Sequence, residues 1–204
     1  MKIVYQNSFD KHTDVFVGEI ASFEKDYLAQ HGFTFSPGTG NLKKQVQSYF
    51  VRKLLADCLG INIFQIKKKD RIPYVDGIDE YFSLSHAGDK VAVIIGNKRV
   101  GVDIELETDK ILNIKHKFVN QQEDLFIPED KIMEGASIVW GAKESMFKLY
   151  QKGALSYLNH LQLHPFNDFD SDKFECFIEK NEKINCIGQH QKLGDYRLVG
   201  VWES

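Results

Sequence analysis

The sequence predicts an α+β fold in two halves, and three observations carry that reading. Apolar residues recur at helical spacing over two long runs, 41–60 and about 136–151. Short alternating or apolar runs bounded by turn residues appear in both halves and read as antiparallel meanders. At 204 residues the chain can bury a core as one domain or as two units of about 100 residues each. A hydrophobic share of 43% and a charged share of 27% are ordinary for a globular protein. The formal net charge of −3 gives no global attraction to nucleic acid or an anionic membrane, so any anion site must be a local cluster.

In chain order, residues 2–5 and 13–20 read as strands, and 22–31 as a helix with Ser22 as N-cap and Gly32 beyond its end. "SPGTG", 36–40, is a turn-rich loop. In "NLKKQVQSYFVRKLLADCLG", Leu42, Val46, Tyr49, Phe50, Leu54 and Leu55 line one helix face, and Gly60 stops the helix. Short strands follow near 63–66 and 81–84, and "VAVIIGNKRVGVDIE" reads as a hairpin turning at Gly96-Asn97-Lys98. The strand signal stops at 107–110, which divides the chain into 1–107 and 108–204. Residues 111–118 are helical, and Asn120 and Glu123 have capping-box spacing ahead of a further helix. The long helix from Ala136 to Gln151 ends before Gly153, and the tail gives three strands turning at "KNEK" and "LGD". No internal sequence repeat is evident.

Cys58, Cys176 and Cys186 are sparse, odd in number and without Cys-x-x-Cys spacing, which fits a reducing compartment. The N-terminal residues lack a signal-peptide core, and no run approaches the roughly 18 apolar residues of a membrane span. A cytoplasmic protein without membrane or nucleic-acid partners is expected.

Chemistry concentrates in three places. In "RVGVDIEL", Val100, Val102, Ile104 and Leu106 fall on one strand face; Gly101, Asp103 and Glu105 fall on the other. Two carboxylates two apart either form a solvated face or converge on a cation, and Gly101 leaves room there for a ligand. In "VWGAKESMFKLYQKG", Val139, Ala142, Met146, Leu149 and Tyr150 form the buried stripe, with Trp140 and Phe147 on its flank. Glu144 and Lys148 stand opposite at i,i+4, either as a surface ion pair or as site residues. Lys143 projects from the edge of the stripe, where it needs an anionic partner. Oxygen ligands without nearby His or Cys favour Mg²⁺ over zinc. In "FSLSHAGDK", Ser83, Ser85 and His86 end a strand where they can donate to a phosphate, and no partner geometry supports a nucleophilic triad.

These three motifs, in this order and at this separation, resemble the 4′-phosphopantetheinyl transferase superfamily, from about Leu42 to Ser204. The layout resembles its monomeric two-half type, which implies two pseudo-symmetric α/β halves, each an antiparallel sheet on a long helix, with the site in the cleft between them. It implies Mg²⁺-dependent transfer of the phosphopantetheine arm of coenzyme A to a serine of an acyl or peptidyl carrier protein, releasing 3′,5′-ADP. Asp103, Glu105 and Glu144 would hold the metal. Glu144 would also serve as base, and Lys148 and Lys143 would bind the pyrophosphate. Ser85 and His86 would lie near the 3′-phosphate. A noncatalytic CoA- or carrier-binding module is the alternative, disfavoured by the intact acidic residues and lysines.

One departure stands out. Relatives carry Gly-(Lys/Arg)-Pro before the Ser-His segment, whereas "KKKDRIPYV" has Arg71 at the glycine and Ile72 at the basic position. Arg71, Arg52 and Lys67–Lys69 are the candidates for the missing charge. "PGTGNLKK" lacks phosphate-loop spacing, and the alternation of "HLQLH" argues against a helical metal pair at His160 and His164.

Overall fold

The computed structural model describes residues 1–35, 41–70, 72–165 and 172–204. The loop read at 36–40 and Arg71 lie outside the described residues. β1 (Lys2–Asp10) and β2 (Thr13–Glu19) open the chain as an antiparallel pair. The helix expected over 22–31 is shortened to α1 (Lys25–Gln30), because the Ser22 hydroxyl accepts the Glu24 N–H and so does not cap it. α2 (Leu42–Leu59) starts where the Asn41 side chain accepts the Lys44 N–H, and ends at Gly60 in the left-handed region, at φ 66°. Residues 63–65 form a 3-10 turn in place of a strand, because Asn62 and Gln65 close a capping box around it. The short pair β3 (Lys67–Lys69) and β4 (Ile72–Tyr74) follows, then β5 (Tyr81–Ala87), β6 (Lys90–Gly96) and β7 (Val100–Leu106).

The second stretch begins with α3 (Lys110–Ile114), and α4 (Gln121–Leu125) is capped by Asn120 and Glu123 as the spacing predicts. The long α5 (Ile132–Tyr150) leads to β8 (Leu161–Leu163), β9 (Lys173–Glu179), β10 (Lys183–Leu193) and β11 (Tyr196–Glu203). Among the described residues no helix is long and apolar enough to cross a membrane.

The fold is α+β, with two antiparallel sheets each carrying a long helix. One sheet has the order β1-β2-β6-β5, the other β7-β11-β10-β9-β8. α2 packs on β6 and β5; α5 packs on β7 and β11. The inner faces of the sheets meet around Phe9, Val15, Ile94, Val102, Ile104 and Trp202. Strand alternation splits β6 between layers: Val91 and Val93 face the α2 core, Ala92 and Ile94 the inner one.

The expected hairpin at 91–105 does not form. β6 pairs with β2 and β5, while β7 crosses to pair with β11, from Val100 opposite Trp202 to Leu106 opposite Tyr196. Residues 100–104 are buried on both faces, which a place beside β11 and beneath α5 satisfies and a hairpin edge would not. Arg99 fixes the crossing through a two-pronged pair with Glu203, both bonds at 2.9 Å. The sheets therefore exchange chain ahead of residue 107.

Candidate active site

The site exists because α5 comes very close to β7. A Cβ at Gly101 would stand 1.9 Å from the Ser145 carbonyl oxygen, and one at Gly141 would stand 2.5 Å from the Val199 side chain. The space at Gly101 is thus filled by helix backbone, not by a ligand as the strand pattern suggested. Ser145 fastens the contact by donating its hydroxyl to the Val199 carbonyl at 3.0 Å. At this distance Glu144 and Lys148 lie over the face of β7 that carries Asp103 and Glu105.

β5 lies against β7 without a backbone ladder. The Ser83 hydroxyl accepts the Val102 N–H at 3.2 Å, and the Ser85 hydroxyl accepts the Ile104 N–H at 3.3 Å. Two serines thus stand in for strand pairing at the junction of the sheets. Ser85 also donates to Asp103 Oδ1 at 3.0 Å. Lys148 Nζ lies 2.7 Å from that same oxygen, and donates to the Ser85 hydroxyl and the Val102 carbonyl, each at 2.9 Å. Ser85 is therefore buried between Lys148 and Asp103, while its neighbour His86 lines a cavity.

Lys143 is not brought to the site. It is fully buried, with Nζ 2.6 Å from Glu123 Oε2, 2.7 Å from the Phe118 carbonyl and 2.8 Å from the Tyr157 carbonyl. Burial holds its pKa below the usual lysine range, with Glu123 opposing the shift. Glu123 also accepts the Asn120 and Leu163 N–H groups, so both ions are fully satisfied without a substrate. The need for an anionic partner was legible; which partner was not.

Tyr157, unmarked by any motif, donates its hydroxyl to Glu144 Oε1 at 2.6 Å. Burial and Glu144 push the phenol pKa upward, so it stays a donor. Burial is also the largest influence raising the Glu144 carboxyl; the Tyr157 hydrogen bond opposes it and Asp103 reinforces it. Glu105 is pushed up to about 7, first by crowding against protein atoms, then by Asp103 and Glu144, with Lys148 opposing. The three carboxylates thus repel one another across a narrow groove.

Among the described residues no three His, Cys, Asp or Glu side chains close on one point as a ready cation cage. Lys148 holds one oxygen of Asp103 and Tyr157 holds one of Glu144. The donor set nonetheless fits a hard divalent cation. Asp103 Oδ2 is buried without a partner, all available ligands are carboxylate oxygens, and their mutual repulsion is what a cation relieves.

Two cavities flank this groove. One, of about 510 Å³, is lined by Arg52, Lys68, Asp70, Ile72, His86 and Lys148. Arg52 Nε bonds to the Ser48 carbonyl, and its terminal nitrogens have no partner among the described residues. Of the lysine run, Lys67 pairs with Asp76, while Lys68, opposite Pro73 in the β3–β4 pair, lines the cavity. Partial burial lowers the His86 pKa, and the Lys148 and Lys68 charges lower it further. The other cavity, of about 260 Å³, has Asp103 and Glu105 on one side and Ile111, Ile114 and Trp140 on the other.

Lys148 thus joins a cavity bearing Arg52, Lys68 and His86 to the carboxylates of β7 and α5, an arrangement whose donors suit a phosphorylated ligand. No family model matches the chain. It is 27% identical over 192 residues to the 4′-phosphopantetheinyl transferase gsp of Aneurinibacillus migulanus, an alignment covering 91% of this chain and 73% of that protein. This likeness spans nearly the whole chain and agrees with the three ordered motifs that resemble the 4′-phosphopantetheinyl transferase superfamily.

Proposed function

We propose that the protein transfers the 4′-phosphopantetheine arm of coenzyme A to a serine hydroxyl of an acyl or peptidyl carrier protein, in a Mg²⁺-dependent reaction. The observation that carries this reading is the double placement of Lys148, which lines the basic cavity and grips Asp103 of the acidic strand. The basic cavity takes the nucleotide end of coenzyme A, with Arg52, Lys68 and His86 toward its phosphates. Lys148 then meets the pyrophosphate, and the cavity at Ile111, Ile114 and Trp140 admits the carrier's serine from the opposite side.

Asp103, Glu105 and Glu144 would hold the Mg²⁺, which supplies charge neutralisation on the pyrophosphate oxygens when bound. Glu144 accepts the serine proton, directly or through water, as the serine oxygen bonds to the phosphorus bearing pantetheine. The anhydride bond to the 5′-phosphate breaks, and 3′,5′-ADP leaves as Lys148 offsets its developing charge. Lys143 supports this arrangement from the core instead of touching the pyrophosphate. The enzyme acts as a cytoplasmic monomer in this reading. Chromatography of a reaction with apo-carrier, coenzyme A and Mg²⁺ tests it. One equivalent of 3′,5′-ADP per coenzyme A consumed is expected, and coenzyme A consumption without it would overturn the reading.

A further inference from the structure

Glu144 stands in the middle of the proposed chemistry, and among the described residues its carboxylate takes one side-chain hydrogen bond. That contact comes from Tyr157, seven residues beyond the end of α5. The Tyr157 ring stacks on two residues of the same helix face, Trp140 at 5.7 Å and Phe147 at 6.0 Å between ring centres. Its carbonyl accepts from Lys143, and its hydroxyl donates to Glu144 Oε1.

The loop carrying it is tied down independently. His160 Nδ1 accepts the Ser156 N–H at 2.9 Å, the His160 N–H returns to the Ser156 carbonyl at 2.9 Å, and Lys180 donates to the Ala154 carbonyl at 2.6 Å. Two aromatic faces, one buried ammonium and a closed turn therefore fix a hydroxyl whose described hydrogen bond goes to Glu144. A tyrosine serving only to fill space would not need that hydroxyl, which phenylalanine lacks.

We propose that Tyr157 is a positioning residue for Glu144: it claims Oε1 and leaves Oε2 as the oxygen presented to the groove. Lys143 belongs to the same device. The buried Glu123–Lys143 pair holds the Tyr157 backbone, Tyr157 holds Glu144, and a connected chain runs from the core to the reacting carboxylate. The lysine of the Lys-Glu motif thus acts two contacts away from the chemistry. Tyr157 touches no reacting atom in this scheme, and its effect passes entirely through Glu144. The role rests on the proposed transfer, so wild-type activity is the control that separates the two.

Tyr157→Phe keeps the ring stacking and the carbonyl that receives Lys143, and removes only the hydroxyl. Steady-state transfer to an apo-carrier should show kcat falling about tenfold, the scale of one lost hydrogen bond. KM for coenzyme A should stay within about twofold, since the nucleotide cavity is untouched. In a Glu144→Ala background the same change should have almost no further effect, because no carboxylate remains to be turned. A kcat equal to wild type, a loss confined to KM, or an equal fold-loss in the Glu144→Ala background would each overturn the positioning role and leave the transfer reading standing. Wild-type protein that modifies no carrier would overturn both.

Discussion

Lys148 and Asp103 meet at 2.7 Å across the contact between α5 and β7, and Ser85 of the neighbouring sheet bonds to both. This three-way contact joins the long helix to both sheets. Asp103 is almost fully buried, and its Oδ1 takes hydrogen bonds from that ammonium and from the Ser85 hydroxyl. Lys148→Met should lower stability in the absence of divalent cations by about 1–3 kcal/mol, the scale for a buried acceptor losing its partner. Added Mg²⁺ should restore part of the loss. Thermal melts with EDTA and with Mg²⁺ check this, and a variant as stable as wild type in EDTA would reduce the pair to a surface contact.

Lys143 is expected to behave quite differently. Removing it leaves Glu123 without its counter-ion in the core and takes a donor from the Phe118 and Tyr157 carbonyls, so Lys143→Met should cost about 3–5 kcal/mol of stability. The folded fraction should keep its affinity for coenzyme A. Denaturant melts beside calorimetric titration separate the effects; weakened binding with unchanged stability would return Lys143 to the pyrophosphate.

With isoleucine at position 72, the proposed phosphate contacts fall to other residues of the cavity. Arg52→Ala and Lys68→Ala should each weaken coenzyme A binding by about 1–3 kcal/mol, the range of a charge-assisted hydrogen bond. Dephospho-CoA, which lacks the 3′-phosphate, should be affected less. Equal losses for the two ligands would show that neither residue reads that phosphate.

Glu105 gives the chain a pH signature. Its carboxyl is raised from 4.5 to about 7, so the folded protein binds this proton more tightly than the unfolded chain does. The resulting stability is complete below about pH 4.5 and is lost as pH rises through about 7. In EDTA, wild type should lose stability relative to Glu105→Gln across that window. Parallel pH profiles for the two proteins would contradict the crowding at this carboxylate.

The sequence pattern revealed more of where side chains point than of the connectivity. Asp103, Glu144 and Lys148 were legible because strand and helix periods assign faces from local spacing alone. The β6–β7 crossing was not, since a three-residue turn between apolar strands reads as a hairpin and only the partner β11, some 90 residues later, decides otherwise. Gly101 looked like space for a ligand until the helix backbone was seen to fill it. Glu123 was visible as a cap, but not as the counter-ion of a lysine twenty positions away. Tyr157 carried no signal, because its meaning depends on how the loop after α5 folds back over Trp140 and Phe147.

The most direct measurement is the intact mass of apo-carrier proteins after incubation with coenzyme A, Mg²⁺ and this protein, beside the Glu144→Gln variant. Wild type should add one phosphopantetheine mass to the carrier at its acceptor serine, and Glu144→Gln should slow that addition by about 10²–10⁴-fold. Carriers left unmodified by wild type under these conditions, or modified equally fast by Glu144→Gln, would contradict the account of this site.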